Sequence, residues 1–330
     1  MEYRNVGASG LEVSALSFGS WVTFGDQIDE QIAEDCMKAA WETGVNYFDN
    51  AEAYAGGRAE SVMGSVLKRM AWKRSEVVIS TKIFWAGKGP NQVGVSRKRL
   101  IEGTTASLAR LQLDYVDMLL CHRPDSRTPI EETVRAMNYL INQGKALYWG
   151  TSWWSAKQLL SAYHIARRER LIPPTVEQPE YNMFAREWVE SEYEGLYDEL
   201  GLGLTTWSPL ASGMLTGKYN EGIPPTSRVT LKGYEWLRKE FESGEGKARI
   251  EKVKKLAPIA KSLNCSLAQL ALAWCAKNPR VSTVITGATR PEQVAENMKA
   301  IDVVPLITPQ VIFEIENVLQ NKLVPAKTYR

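Results

Sequence analysis

Asp49, Tyr54, Lys82 and His122 are the residues of this chain whose types could together move a proton. They close, or lie just beyond, three apolar runs: NYFDNAEAY at 46–54, VVISTK at 77–82 and VDMLLCH at 116–122. Each run reads as a β-strand that stops at a polar, titratable residue. In a parallel barrel the strand C-termini open on one face, so such residues meet there whatever their separation in sequence. An acid, a phenol, an amine and an imidazole at one point form a proton-transfer device. The phenol alone is a poor donor at neutral pH, its unperturbed pKa being about 10. A neighbouring ammonium would lower that value, and a carboxylate would hold the ammonium in place.

The elements that must position these residues alternate along the chain. Strands are expected at 15–20, 45–50, 77–82, 115–122, 146–151, 175–178, 203–207 and 283–286, each rich in β-branched or aromatic residues. Helical patterns fall between them, at 30–43, 59–70, 96–111, 130–143, 155–170 and 190–200. The rhythm then breaks. Residues 209–246 are charged and rich in Gly and Pro, without a sustained period, and read as one long functional loop after the seventh strand. Helices resume at 247–263, 266–278, 291–300 and 309–319. Eight β/α units predict a (β/α)8 TIM barrel, one domain over 1–330, with an N-terminal β-hairpin (3–6 and 11–14) plugging its bottom. A doubly wound nucleotide fold would need a GxGxxG after a strand, and none is present. The segment GMLTGK at 213–218 is one residue short of a P-loop, although Lys218 could still meet a phosphate.

Composition narrows the function classes. The 330 residues are 44% hydrophobic and 24% charged, as in ordinary globular proteins. A formal charge of +2 argues against a nucleic-acid surface. No apolar run approaches the ~18 residues of a membrane span, and the N-terminus lacks a basic segment followed by an apolar one. A cytoplasmic protein without membrane insertion is the expectation. The four cysteines (Cys36, Cys121, Cys265, Cys275) show no CxxC and no metal-ligand spacing, so packed thiols and no metal site are expected. Cys121 and His122 are not a nucleophile–base pair, because strand neighbours point to opposite faces.

The segments SFGSWVTFGDQI, NYFDNAEAYAGGRAE, VVISTKIFW, VDMLLCHRPD, YWGTSWWS, VEQPEYNMF, TTWSPLASGMLTGKY and VITGATRPEQVAEN, spanning 17–297, together resemble the aldo-keto reductases. Within that superfamily the chain is most similar to the voltage-gated potassium channel β-subunit branch.

The resemblance implies an NADPH cofactor extended across the barrel mouth, and hydride transfer to an aldehyde or ketone. Tyr54 would be the proton donor, its pKa lowered by Lys82, with Asp49 pairing Lys82 and His122 orienting the carbonyl oxygen. By matched position, Trp207 would stack on the nicotinamide, while Ser152 and Gln178 would hold its carboxamide. Gly19, Ser20, Trp21 and Gln27 would line the cofactor site, with Asp49 beneath. Ser208, Pro209, Leu210, Ser212 and Lys218 would follow the pyrophosphate. Arg228, Thr289 and Gln293 would take the adenosine side, favouring a 2′-phosphate and hence NADPH over NADH. Glu296 and Asn297 would read adenine, and Gly287 with Pro291 opens a helix N-terminus suited to phosphate. Trp21, Phe24, Trp85 and Trp153 are the expected substrate pocket, suited to an apolar or aromatic carbonyl compound. Two departures stand out. The branch commonly has Asn where His122 stands, so histidine favours turnover. It usually has Arg where Trp153 stands. The implied partners are a small carbonyl substrate, a homotetramer, and a membrane channel under the alternative reading of a regulatory subunit with slow chemistry.

Overall fold

The computed structural model describes residues 1–25, 27–225 and 227–323. The chain opens with an antiparallel hairpin, β1 (Tyr3–Asn5) and β2 (Glu12–Ser14), paired Tyr3 to Ser14 and Asn5 to Glu12. Eight parallel strands follow: β3 (Leu16–Gly19), β4 (Tyr47–Asp49), β5 (Val78–Ile83), β6 (Val116–Cys121), β7 (Ala146–Thr151), β8 (Val176–Glu177), β9 (Gly203–Thr206) and β10 (Val281–Thr286). They close in sequential order, β10 returning to pair with β3, to make the predicted (β/α)8 barrel. The first helices are α1 (Glu30–Glu42), α2 (Arg58–Met70), α3 (Arg97–Leu111), α4 (Ile130–Asn142), α5 (Ala156–Arg168) and α6 (Leu196–Leu200). They are followed by α7 (Glu235–Glu242), α8 (Gly244–Ser262), α9 (Leu267–Lys277), α10 (Pro291–Met298), α11 (Ala300–Val303) and α12 (Pro309–Leu319).

Two hydrophobic layers result from strand alternation. Phe18, Phe48, Ile79, Leu119 and Trp149 face outward and pack with helical residues such as Met37, Met63, Leu100 and Met137. Tyr47, Val78, Met118, Leu120 and Val176 face inward and meet Val6 and Val13 of the hairpin, which closes the barrel bottom. The same period of two sends Ser80 and Lys82 inward on β5, and carries His122 inward beyond β6. Two glycines are required by close approach. A Cβ on Gly150 would lie 2.1 Å from the Val176 carbonyl oxygen, across the β7–β8 pair. Gly7, at φ +56, would place one 2.1 Å from the Gly201 oxygen, where the hairpin tip docks.

Helix starts follow their caps. Ser96, Ser155, Ser266 and Thr308 accept from backbone N–H groups of the first turns of α3, α5, α9 and α12. Ser243 does the same for α8, so that helix begins at Gly244, earlier than its apolar period suggests.

Two expectations are corrected. The helix expected at 190–200 is split into a π-helical turn, Trp188–Glu192, and the short α6. Tyr193 ends the turn by donating its hydroxyl to the Trp154 carbonyl, and Gly195, a poor helix former, precedes α6. The stretch 209–246 is not one structureless loop. It holds 3₁₀ turns at Ala211–Thr216 and Arg228–Thr230, and the two-turn helix α7, anchored by buried Leu237 and Phe241 four residues apart. Two anchors in eight residues are too few to register as a sustained period.

Candidate active site

β5 ends at the centre of the barrel mouth and delivers Lys82, which is fully buried. Its Nζ donates to Asp49 Oδ2 at 2.6 Å, to the Asn50 carbonyl at 2.7 Å and to the Tyr54 hydroxyl at 3.1 Å. These account for all three ammonium protons. Asp49, at the end of β4, is held in turn by Ser80 Oγ at 2.7 Å, Tyr47 OH at 3.2 Å and Gln178 Nε2 at 3.1 Å. Burial alone would strip Lys82 of its proton, but Asp49 and Tyr54 outweigh it and raise the ammonium above its ordinary value. The ammonium is therefore held charged, with each of its protons placed.

Tyr54 reaches this point through a left-handed turn. Ala55, Gly56 and Gly57 have φ of 50°, 63° and 92°, which reverses the chain between β4 and α2. Below the turn, the Glu52 carboxylate accepts from Phe84 N at 2.7 Å and pairs with Arg99, while Glu60 binds Thr81 and Arg110.

The Tyr54 phenol differs from the expectation. Its pKa is raised rather than lowered, because burial outweighs the attraction of Lys82 and Asp49 adds to it. The phenol is thus firmly protonated. With Lys82 donating to its oxygen, its proton is free for another acceptor.

His122 follows β6, its ring 5.8 Å from Tyr54 and 5.1 Å from Trp85. Burial, with Lys82 and Arg123 nearby, holds its pKa well below the usual histidine value, so it is a neutral imidazole. Its Nδ1 is buried with no hydrogen-bond partner among the described residues. Cys121, one residue earlier, is buried on the outer face, where burial pushes its thiol up.

A cavity of about 1200 Å³ opens above these groups. Asp49, Tyr54 and His122 line it, as do Gly19, Trp21, Gln27, Trp85, Ser152, Gln178 and Trp207. Ser208, Pro209, Leu210, Ser212, Lys218 and Arg228 line it from the loop after β9. Gly287, Thr289, Gln293, Glu296 and Asn297 line it from β10 and α10. Lys82 lies beneath Tyr54. Ser20 is buried behind the wall, its hydroxyl donating to the Asp49 carbonyl at 3.1 Å.

Two of the expected pocket aromatics stand elsewhere. Phe24 is in the core, 1% exposed and 6.0 Å from Phe18, because its chain turns back through a bond from its N–H to the Ser20 carbonyl. Trp153, at φ +62, backs onto Trp207 with ring centroids 6.1 Å apart. Trp21 meets Trp207 edge-on at 6.2 Å, so Trp207 is held by two indoles.

The polar wall is set by its own hydrogen bonds. Gln178 spends its amide N–H groups on Asp49 Oδ1 and on Thr205 Oγ1 at 3.2 Å, which leaves its carbonyl oxygen to accept. Ser152 donates to the Gln178 backbone carbonyl at 2.8 Å, leaving the side-chain carbonyl open. The loop 208–217 is strained: Ser208, Ala211 and Ser212 have φ of 56°, 46° and 56°. Thr289 donates to the Gln293 side chain from both its N–H, at 3.0 Å, and its hydroxyl, at 3.1 Å, ordering the approach to α10.

Lys218 and Arg228 face the same cleft, and neither makes an ion pair among the described residues. Burial lowers both pKa values, and Arg228 lowers Lys218 further by repulsion. Two neighbouring like charges, an exposed Lys218 and a half-buried Arg228, fit a ligand with phosphate groups.

Arg123 is absent from the sequence-derived set but lines the cavity beside His122. Its signal was its place one residue after the last inward residue of a strand, where loop residues enter the barrel mouth.

A family model for the aldo/keto reductase family matches residues 15–320. The chain belongs to this family. It is 58% identical, over the whole of both chains, to a probable voltage-gated potassium channel subunit beta of Arabidopsis thaliana. A protein of the same description from Oryza sativa subsp. japonica is 56% identical, again over the full length of each. Within the family, this chain is closely similar to the potassium channel β-subunit branch. No helix among the described residues is long and apolar enough to cross a membrane.

Proposed function

We propose that this chain is an NADPH-dependent reductase of aldehydes and ketones. One observation carries the reading: Lys82 commits its last proton to the Tyr54 oxygen, so the phenolic proton is left for the cleft, beside a neutral His122. NADPH suits Lys218 and Arg228, which form no ion pair among the described residues, and supplies the hydride when bound. Trp207 would stack on its nicotinamide ring, and the Gln178 carbonyl oxygen and Ser152 would hold the carboxamide. Thr289, Gln293, Glu296 and Asn297 would take the adenosine end. The substrate carbonyl oxygen would receive the Tyr54 proton as negative charge develops on it, with a hydrogen bond from His122. Lys82, kept charged by Asp49, would stabilise the phenolate left behind.

The experiment is NADPH oxidation with purified protein and a panel of aromatic aldehydes, ketones and quinones, with NADH alongside. Sustained turnover with NADPH is expected, and its absence across the panel would defeat the reading.

A second reading, a regulatory potassium channel subunit that reports the state of its nucleotide through slow chemistry, is favoured by full-length similarity to two proteins described as channel β subunits. It predicts tight NADPH binding and turnover orders of magnitude below the ~10 s⁻¹ typical of enzymes. It also predicts a fourfold assembly, measurable by light scattering, that associates with a membrane channel.

A further inference from the structure

Arg123 is a cation of the cleft for which the proposed chemistry has no use. Its Nη1 donates to the His122 carbonyl at 2.6 Å and reaches Ser152 Oγ at 3.4 Å. Its guanidinium lies over the rings of Trp85 and Trp153, 5.7 and 5.4 Å from their centroids. Four contacts hold it in one place, and the Nε–Nη2 edge has no hydrogen-bond partner among the described residues. No described carboxylate forms an ion pair with it. The acids that act on it through space, Glu177 and Glu180, are themselves pushed towards their neutral forms by burial. It sits close enough to Tyr54 and His122 to act on both electrostatically.

A pre-positioned guanidinium with an open edge is suited to a carboxylate, which can bond it through two parallel N–H groups. Leaving it desolvated and unpaired is costly, so a ligand that brings an anion gains more here than a neutral one. We infer that Arg123 is a specificity-determining residue and that the substrates are carbonyl compounds carrying a carboxylate. Their carbonyl would sit at Tyr54 and His122, their carboxylate on the Arg123 edge, and their body against Trp85. The inference rests on the reductase reading and narrows its substrate class.

The test compares 4-carboxybenzaldehyde with methyl 4-formylbenzoate, its uncharged ester, as NADPH-dependent substrates. The wild-type chain is expected to favour the acid in kcat/KM by at least about tenfold, the scale of one charge-assisted hydrogen bond. Arg123→Met should bring that ratio close to one, and Arg123→Lys should keep part of it. A ratio at or below one in the wild type, or one unchanged in Arg123→Met, overturns the inference. So does a tenfold rise in the NADPH Kd of Arg123→Met with the ratio intact, which would assign the guanidinium to the cofactor. If neither aldehyde is reduced, turnover cannot read the preference, the panel above decides the reductase reading, and binding decides the carboxylate site by itself. Benzoate and methyl benzoate are then titrated against tryptophan fluorescence in the presence of NADP⁺. Benzoate binding about tenfold tighter, lost in Arg123→Met, supports the site, and equal affinities overturn it.

Discussion

Lys82 is the pivot of the site because an ammonium has three protons and each has one acceptor. Removing the Tyr54 hydroxyl leaves the rest of that arrangement in place. Tyr54→Phe should therefore lower kcat for carbonyl reduction by about 10²–10⁴, the usual worth of a general acid, while the NADPH Kd measured by fluorescence moves little. Full activity in this variant would remove Tyr54 from the proposed chemistry. Lys82→Met has a different consequence. It strands the buried Asp49 carboxylate without a cation, and urea unfolding should register a loss of about 3–5 kcal/mol. The expectation that Lys82 pulls the phenol towards neutrality neglects desolvation, which depends on how much protein covers the hydroxyl. In this site burial dominates and the phenol stays protonated.

Among the elements, β8 is only two residues long, yet its last residue organises the neighbouring turn. Glu177 is buried and accepts from Thr151 Oγ1 and from Trp154 N at 3.3 Å, with the Tyr193 hydroxyl, whose proton goes to the Trp154 carbonyl, 3.3 Å away. It thereby ties the end of β7 to the residue after Trp153, the indole that backs Trp207. Burial pushes its pKa up to about 7 from an unfolded value near 4.5. A carboxyl raised on folding favours the folded state below its unfolded pKa, and that advantage is lost as pH rises through the folded value. Glu177→Gln removes the titration. Relative to wild type, the variant should gain about 2 kcal/mol between pH 5.5 and pH 8 in urea unfolding. No change in the difference would mean that Glu177 titrates normally. His122 works in the opposite sense, its depressed pKa giving stability that is lost as pH falls below the ordinary histidine range. It is present in both proteins and cancels from the comparison.

Closure of the barrel is what turns separate segments into one cleft. Gln178 bonds Asp49 from 129 residues away, and β10 pairs with β3 to complete the ring. The same closure brings an exposed Lys218 beside a half-buried Arg228, where the like charges repel. That arrangement makes a signed prediction. Without nucleotide, the double variant Lys218→Met/Arg228→Met should melt at a higher temperature than wild type, because their mutual repulsion and the desolvation of Arg228 are gone. NADPH at a hundred times its wild-type Kd should stabilise the wild-type chain by about 2.7 kcal/mol, and the double variant by much less. An equal NADPH increment in both would exclude these cations from the nucleotide site.

Local pattern carried much of this protein. Strand alternation and the spacing of β/α units are properties of short windows, so the eight barrel strands, most of the helices and the polar residues at the strand ends were legible in the sequence. The hairpin was legible too, its turn residues being as local as its strands. Other features depended on neighbours distant in the chain. The break before α6 follows from Tyr193 reaching Trp154, and α7 is a helix because Leu237 and Phe241 have a core to enter. Phe24 is core because its loop turns back behind the first strand, so an aromatic near the mouth in sequence is not at the mouth in space. Arg123 and the direction of the Tyr54 shift are decisions of the same kind. Residue type and spacing determine which groups reach the barrel mouth, whereas burial, partner geometry and the loss of water are set only when the barrel has closed.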